Sequence, residues 1–293
     1  MKKILLVDGN LLLFRSFYAA QIIVKSTPIN MGIHLFFNSF FEILKKENYQ
    51  YVFFAFDAIE PTWRHKEYEQ YKSKRKKAPE DLYKLKEIIF QILKIMKISF
   101  NAINGDEADD LIATLCVRYK NNFLIDIFSE DKDLLQLVDN NVNIIMKNKD
   151  KNTKDKYTKI NINNFYSIFN FYPKQIIDYK SIAGDNSDNL PGITGIGPKQ
   201  TIDLLKKYTN IENIYSNIDQ LNPKQQELFI KNKEQALLCK KLVTLNTKVN
   251  IYNNLDDMLI KIENIKNENV INILNKYYLK KIVNIISNLN NNL

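Results

Sequence analysis

Short apolar runs punctuate the first half of the chain: Ile4 to Val7, Tyr51 to Phe56, Phe123 to Phe128 and, less cleanly, Val142 to Met146. Runs of this length without polar alternation predict strands buried on both faces. Between them, Met31 to Lys46, Leu82 to Lys97 and Ala108 to Tyr119 carry apolar residues at helical spacing. The alternation predicts an α/β domain, a parallel sheet flanked by helices. From Lys147 to Lys159 the chain turns polar and Lys-rich without periodicity, which reads as a surface loop or linker. Beyond it, Phe165 to Ile182, Lys199 to Tyr208, Gln225 to Leu245 and Val270 to Leu289 have helical spacing, so the second half is expected to be mainly helical. The expected division is residues 1–172 for the α/β domain and 173–293 for the helical one.

The acids fall where the apolar runs stop. Asp8 follows the first run, Asp57 the second, and Ser129-Glu130-Asp131-Lys132-Asp133 the third. In a parallel sheet the carboxyl ends of the strands share one edge, so acids distant in sequence converge there. A fourth group, Gly105-Asp106-Glu107-Ala108-Asp109-Asp110, opens a helix, with Asp106 read as its N-cap. Glu107 and Asp110 are three apart and share a face. One acid after a strand is ordinarily a turn or capping residue; four such placements together point to a site. Carboxylates crowded in one cleft repel one another, and bound cations are the usual remedy. Oxygen ligands without His or Cys select Mg²⁺ or Mn²⁺ over Zn²⁺.

Glycine use singles out one more segment. Of seven glycines, Gly184, Gly192, Gly195 and Gly197 lie in Ala183 to Lys199, where Asp185 and Asp188 could add ligands to the cluster. Its glycines allow backbone amides to approach a phosphate, and Pro198 with Lys199 suits the first turn of an anion-attracting helix.

Composition changes the picture only by exclusion and by charge. With 293 residues and 45% hydrophobic content the chain can bury a sizeable core. Its formal charge of +9 favours a polyanionic partner, although the abundance of Lys and Asn also fits a compositional bias. Cys116 and Cys239 lie far apart and have no metal-ligand spacing, which fits a reducing cytoplasm. No apolar run is long enough for a signal peptide or a membrane span.

Taken in order, Leu6-Val7-Asp8-Gly9-Asn10, Phe14-Arg15, Phe56-Asp57, Trp63-Arg64, Tyr71-Lys72-Ser73-Lys74-Arg75, Glu107-Ala108-Asp109-Asp110, Asp131-Lys132-Asp133 and Gly184 to Lys199 resemble the 5′ nuclease domain of bacterial DNA polymerase I and, more distantly, the flap endonucleases. The resemblance spans nearly the whole chain. It implies a PIN-like parallel-sheet core and a helical C-terminal domain carrying a helix-hairpin-helix element at about 184–208. It further implies one metal ion held by Asp8, Asp57, Glu107 and Asp109 and a second near Asp109, Asp131, Asp133 and Asp188, with Asp110 and Asp185 supporting the cluster. The basic stretch at about 60–85 matches the family's arch, where Lys72 and Arg75 would contact the scissile phosphate and Tyr71 stack on a base. Arg15 and Arg64 are expected phosphate contacts, and Gly192, Gly195, Gly197 and Lys199 are expected to grip duplex DNA, with K⁺ bound at the hairpin.

The implied activity is two-metal hydrolysis of phosphodiesters in branched, nicked or flapped DNA and at RNA–DNA primer junctions, for primer removal and repair. The enzyme is expected to be a stand-alone cytoplasmic monomer working beside a separate polymerase. Glu130 departs from the bacterial pattern, which places a small residue there. An aspartate-nucleophile phosphatase would need an acid where Asn10 stands. A junction-binding protein without cleavage is the second rival, and residue identities alone leave it open.

Overall fold

The computed structural model describes residues 1–24, 28–148 and 155–289. Its strands are β1 Lys3–Asp8, β2 Tyr51–Phe56, β3 Ser99–Ala102, β4 Leu124–Phe128, β5 Val142–Lys147 and β6 Tyr157–Ile160. They form one sheet in the order β3-β2-β1-β4-β5-β6, parallel throughout except that β6 pairs antiparallel with β5.

Each central strand serves two cores. Leu5 and Val7 of β1, with Val52, Phe54 and Phe56 of β2, face the helices Gly9–Ile23, Pro28–Leu44 and Glu80–Ile95. Ile4 and Leu6, with Tyr51, Phe53 and Ala55, face the helix Ala108–Tyr119 on the other side. Burial on both faces is why these runs lack polar alternation. On the first side Phe36, Phe37, Phe40 and Phe41 are all fully buried, each worth roughly 2–3 kcal/mol of transfer free energy.

The chain leaves β1 toward β2 and β3 on one side and reaches β4 and β5 on the other, so the strand order reverses at β1. Ligands of open α/β sheets bind outside the carboxyl ends at such a point. The strands flanking and including it, β2, β1 and β4, are those followed by the acids.

Several elements differ from the expectation. The helix Gly9–Ile23 and the strands β3 and β6 were not predicted. Tyr157–Ile160, inside the stretch expected to be loop, is the edge strand β6, while residues 149–154 of that stretch lie outside the described residues. Phe165 to Ile182 is two helices, Ile162–Phe169 and Ile176–Ala183, interrupted by Asn170 at φ 62° and a turn starting at Pro173.

The helices from Ile176 onward build a third core of Ile182, Ile193, Leu205, Ile211 and Phe229. The chain then returns to the sheet. Leu245, Val249, Ile251 and Met258 join the second core, and Ile262, Ile265, Val270, Leu274, Ile282 and Ile286 join the first. A boundary at 172 therefore does not separate cores, because residues after Thr244 complete both apolar layers of the α/β body. Among the described residues no helix is long and apolar enough to cross a membrane.

Candidate active site

The cleft at the carboxyl edge of the sheet has a volume of about 470 Å³ and is lined by Asp8, Asp57, Glu107, Asp109 and Asp131 beneath Lys72 and Arg75. Asp8 ends β1 and caps the next helix, its Oδ1 accepting from Leu11 N at 2.8 Å. Gly9 is required beside it, because a Cβ there would meet the Phe56 ring at 2.5 Å. Asp57 accepts from Ala108 N, the first amide of the helix Ala108–Tyr119, at 2.8 Å, and from Asn10 Nδ2. Ser129 links the third group: its hydroxyl donates to Asp8 Oδ2 at 2.7 Å and accepts from Asp131 N at 2.9 Å.

Carboxylate oxygens of Asp109, Asp131 and Asp133 lie within 4.8 Å of one another. Burial, with the charges of Asp131 and Asp57 adding to it, pushes Asp8 up to about 7 despite its hydrogen bonds from Leu11 and Ser129. Burial likewise raises Asp57, Asp109 and Asp131, and neighbouring carboxylates add to each shift. Crowded, desolvated oxygen ligands without nitrogen or sulfur suit a hard divalent cation.

Cations of the chain enter the same cluster. Lys72 Nζ pairs with Glu107 Oε2 at 2.9 Å and Arg75 Nη2 with Asp188 Oδ1 at 2.7 Å. The segment carrying them roofs the cleft, held by Lys72 N donating to Asp188 O at 3.1 Å and Asn189 Nδ2 donating to Gln70 O at 2.9 Å. Lys72 has φ 54°, a conformation that costs a non-glycine residue energy and tends to persist where function needs it. Lys180, on the helix Ile176–Ala183, pairs with Asp133 and, at 2.7 Å, with Asp185 Oδ2. Burial alone would raise Asp185, but Lys180 and the hydrogen bonds from Ser187 bring it down to about 2.

The loop from Gly184 to Gly197 joins that helix to Pro198–Tyr208. Gly184 and Gly192 have φ 78° and 62°, and a Cβ on Gly192 would lie 2.3 Å from Gly184 N. Gly192→Ala is expected to cost about 2 kcal/mol or more through strain and clash, measured by denaturant unfolding. Gly195 and Lys199 are exposed at the helix entrance and Gly197 half-buried.

Family patterns described as "5'-3' exonuclease, N-terminal resolvase-like domain" and "5'-3' exonuclease, C-terminal SAM fold" match residues 3–166 and 171–268. The chain is similar to the 5'-3' exonuclease of Mycoplasmopsis pulmonis, 41% identical over 94% of this chain and 91% of that protein. The chain belongs to the 5'-3' exonuclease family. This nuclease is also similar to DNA polymerase I of Caldicellulosiruptor bescii, 36% identical over 88% of this chain but 31% of that one. Its fold is that of the bacteriophage T5 flap endonuclease solved as a pseudo-enzyme-product complex with DNA and metal ions, with TM-score 0.65, 21% identity and coverage of 98% and 100%.

Three expected roles are corrected by the nuclease's structure. Arg64 is not a phosphate contact: it is 2% exposed, its guanidinium gripping Asp110 through two hydrogen bonds of 2.6 and 2.8 Å, with Nε donating to Leu242 O at 2.7 Å. Asp110, fully buried, spends its oxygens on Arg64, Glu107 N and Asn246 N, so it is a structural partner and not a metal ligand. Tyr71 is 3% exposed, its hydroxyl 3.2 Å from Glu107 Oε2 and from Asp188 Oδ2, which leaves no free face for a base. In addition, Glu107 rather than Asp106 is the N-cap residue of the helix Ala108–Tyr119, and half-buried Arg15 pairs with Glu130. Lys180, Ser129 and Asn10 were missed. The first sits in a helix where a lysine reads as a surface charge, and the other two are ordinary loop and helix-start residues by sequence.

The raised carboxylates set a pH dependence. A carboxyl group whose folded pKa is raised contributes stability present below its unfolded pKa near 4 and lost as pH rises through the folded value, about 7 for Asp8. The nuclease in chelator is therefore expected to melt at lower temperature at pH 8 than at pH 6. Divalent ion should flatten that decline, and its apparent affinity should increase with pH over the same interval because ligands must shed protons. Thermal unfolding across pH with EDTA or Mg²⁺ checks both; a flat profile in EDTA would contradict the crowding.

Proposed function

We propose that this nuclease hydrolyses the 5′ strand of branched, nicked or flapped DNA and of RNA–DNA primer junctions, using two divalent ions, Mg²⁺ or Mn²⁺. The observation that carries the reading is the convergence of carboxylates from β1, β2, the helix Ala108–Tyr119 and the segment after β4 in one cleft beneath Lys72 and Arg75. Asp8, Asp57, Glu107 and Asp109 would hold one ion; Asp109, Asp131, Asp133 and Asp188, supported by Asp185, would hold the second. When bound, such ions supply Lewis-acid activation of water and stabilisation of the leaving oxygen.

The chain's own groups do the rest. Lys72 and Arg75, now paired with Glu107 and Asp188, are placed to exchange those partners for the scissile phosphate and offset its developing charge. Asn10 and Ser129 hold Asp57 and Asp8 in position. Half-buried Arg15, paired with Glu130 of the segment after β4, is placed to leave that partner for a phosphate. Backbone amides of Gly195 and Gly197, with Lys199, would hold duplex phosphates and set position without reading sequence, buried Gly192 would shape the loop behind them, and carbonyls of the same loop would take K⁺. The relatives named DNA polymerase I support work beside a separate polymerase in primer removal and repair. Two buried free thiols suit a reducing cytoplasm, where the enzyme would act as a monomer.

The test is release of a 5′-labelled flap with Mg²⁺ or EDTA. Wild type is expected to cut only with metal, and Lys72→Ala about 10²-fold more slowly, with a melting temperature within a few degrees of wild type. Tight flap binding with no cut in Mg²⁺ would leave the junction-binding reading instead.

A further inference from the structure

Lys180 stands apart from the other cations of the cleft. Lys72 and Arg75 reach in from the roof, whereas Lys180 rises from the helix Ile176–Ala183, whose Ile176 and Ile182 are anchored in apolar cores. The residue is 7% exposed, and its ammonium pairs with Asp133 and with Asp185 Oδ2 at 2.7 Å. Asp133 in turn belongs to the group of three carboxylates whose oxygens lie within 4.8 Å of one another. An ammonium has three donors and no acceptor, so a buried one is stable only while carboxylates or carbonyls surround it. A divalent cation asks for the same oxygens.

We propose that Lys180 is a built-in competitor of the second cation: the ammonium and the ion share Asp133 and Asp185, and the ion enters by displacing the lysine. The inference rests on the two-ion reading above. The helix backbone need not move for the exchange. Lys carries its charge on a flexible four-carbon stem, so the head can swing out of the carboxylates while Ile176 and Ile182 stay packed. Occupancy of the second position is thereby weakened relative to the first, where Lys72 holds Glu107 from a roof segment that substrate can draw off.

The experiment is Mn²⁺ titration of chelator-stripped protein by calorimetry and electron paramagnetic resonance, comparing wild type with Lys180→Met, Lys180→Gln and Lys180→Arg. Lys180→Met and Lys180→Gln are expected to tighten the weaker binding step roughly tenfold, the scale of one partly buried ion pair, and to leave the tighter step unchanged. Lys180→Arg keeps the charge and is expected to bind no more tightly than wild type. In EDTA both neutral variants should melt below wild type, because Asp133 and Asp185 lose their counter-charge, and Mn²⁺ should close the gap. An unchanged or weakened second step in both neutral variants would overturn the proposal and make Lys180 an organiser of the ligands. Wild type that binds no Mn²⁺, or a weaker binding step that survives Asp131→Ala with Asp133→Ala, would instead sink the two-ion reading on which the proposal stands.

Discussion

Replacing Arg64 with methionine is expected to lower the unfolding free energy by about 3–5 kcal/mol, because it leaves a buried carboxylate without its partner. Asp110 is fully buried, and Arg64 supplies two of its hydrogen bonds. The same guanidinium holds Leu242 O and Thr244 O, so the loss also loosens the segment where the chain leaves the helical unit for the sheet. Asp110→Asn should cost less, since the amide oxygen can still accept from Asn246 N and one Arg64 donor. Lys in place of Arg64 cannot reproduce the bidentate fork and should fall between. Denaturant unfolding checks the series. A different pattern would restore Arg64 to the DNA interface: unchanged stability, with weaker DNA binding and a salt slope reduced by about one.

Asp131→Ala combined with Asp133→Ala is expected to lower flap cleavage by about 10³-fold or more, the scale of losing the charge stabilisation that bound ions provide. The same variant should bind flap DNA at least as tightly in chelator, since two negative charges next to the phosphate path are gone. In chelator the single variant Asp131→Ala should melt higher than wild type, because burial and neighbouring carboxylates hold Asp131 above the usual range, whereas Asp133→Ala takes a partner from buried Lys180 and should offset that gain. Cleavage kinetics, a binding isotherm in EDTA and a melting curve separate the three effects. Cleavage that persists within a few-fold of wild type would remove these two acids from the mechanism.

Much of the cleft was legible because the apolar runs end in acids. Once β1, β2 and β4 are recognised as buried parallel strands, Asp8, Asp57 and Asp131 must meet at one edge. The legible part stops where a charge depends on a partner distant in sequence. Arg64 and Asp110 look like surface residues of a nucleic-acid site, and only their mutual burial, 46 residues apart, turns them into a structural pair. Tyr71 is hidden for the same reason, by Glu107 and Asp188. The strand β3 escaped because its Ser99-Phe100-Asn101-Ala102 lies at the sheet edge, half-buried, and needs no apolar run. The strand β6 escaped because it is a short edge strand inside a Lys-rich stretch, its Thr158 and Lys159 only half-buried.

The return of the chain to the sheet after the helical unit has a consequence for biosynthesis. Helices Pro28–Leu44 and Glu80–Ile95 are covered by Val270, Leu274, Ile282 and Ile286, so segments made early wait for segments made more than 170 residues later. Such pairing of distant segments is slow and leaves apolar surface open in the meantime. A ribosome that has passed Asp188 has already produced every acid of the cleft, yet not the helices that close the core behind them. The fold thereby ties the appearance of a cutting enzyme to the synthesis of residues 262–289, and a chain stalled before them is a client for chaperones and proteases instead of a nuclease at large.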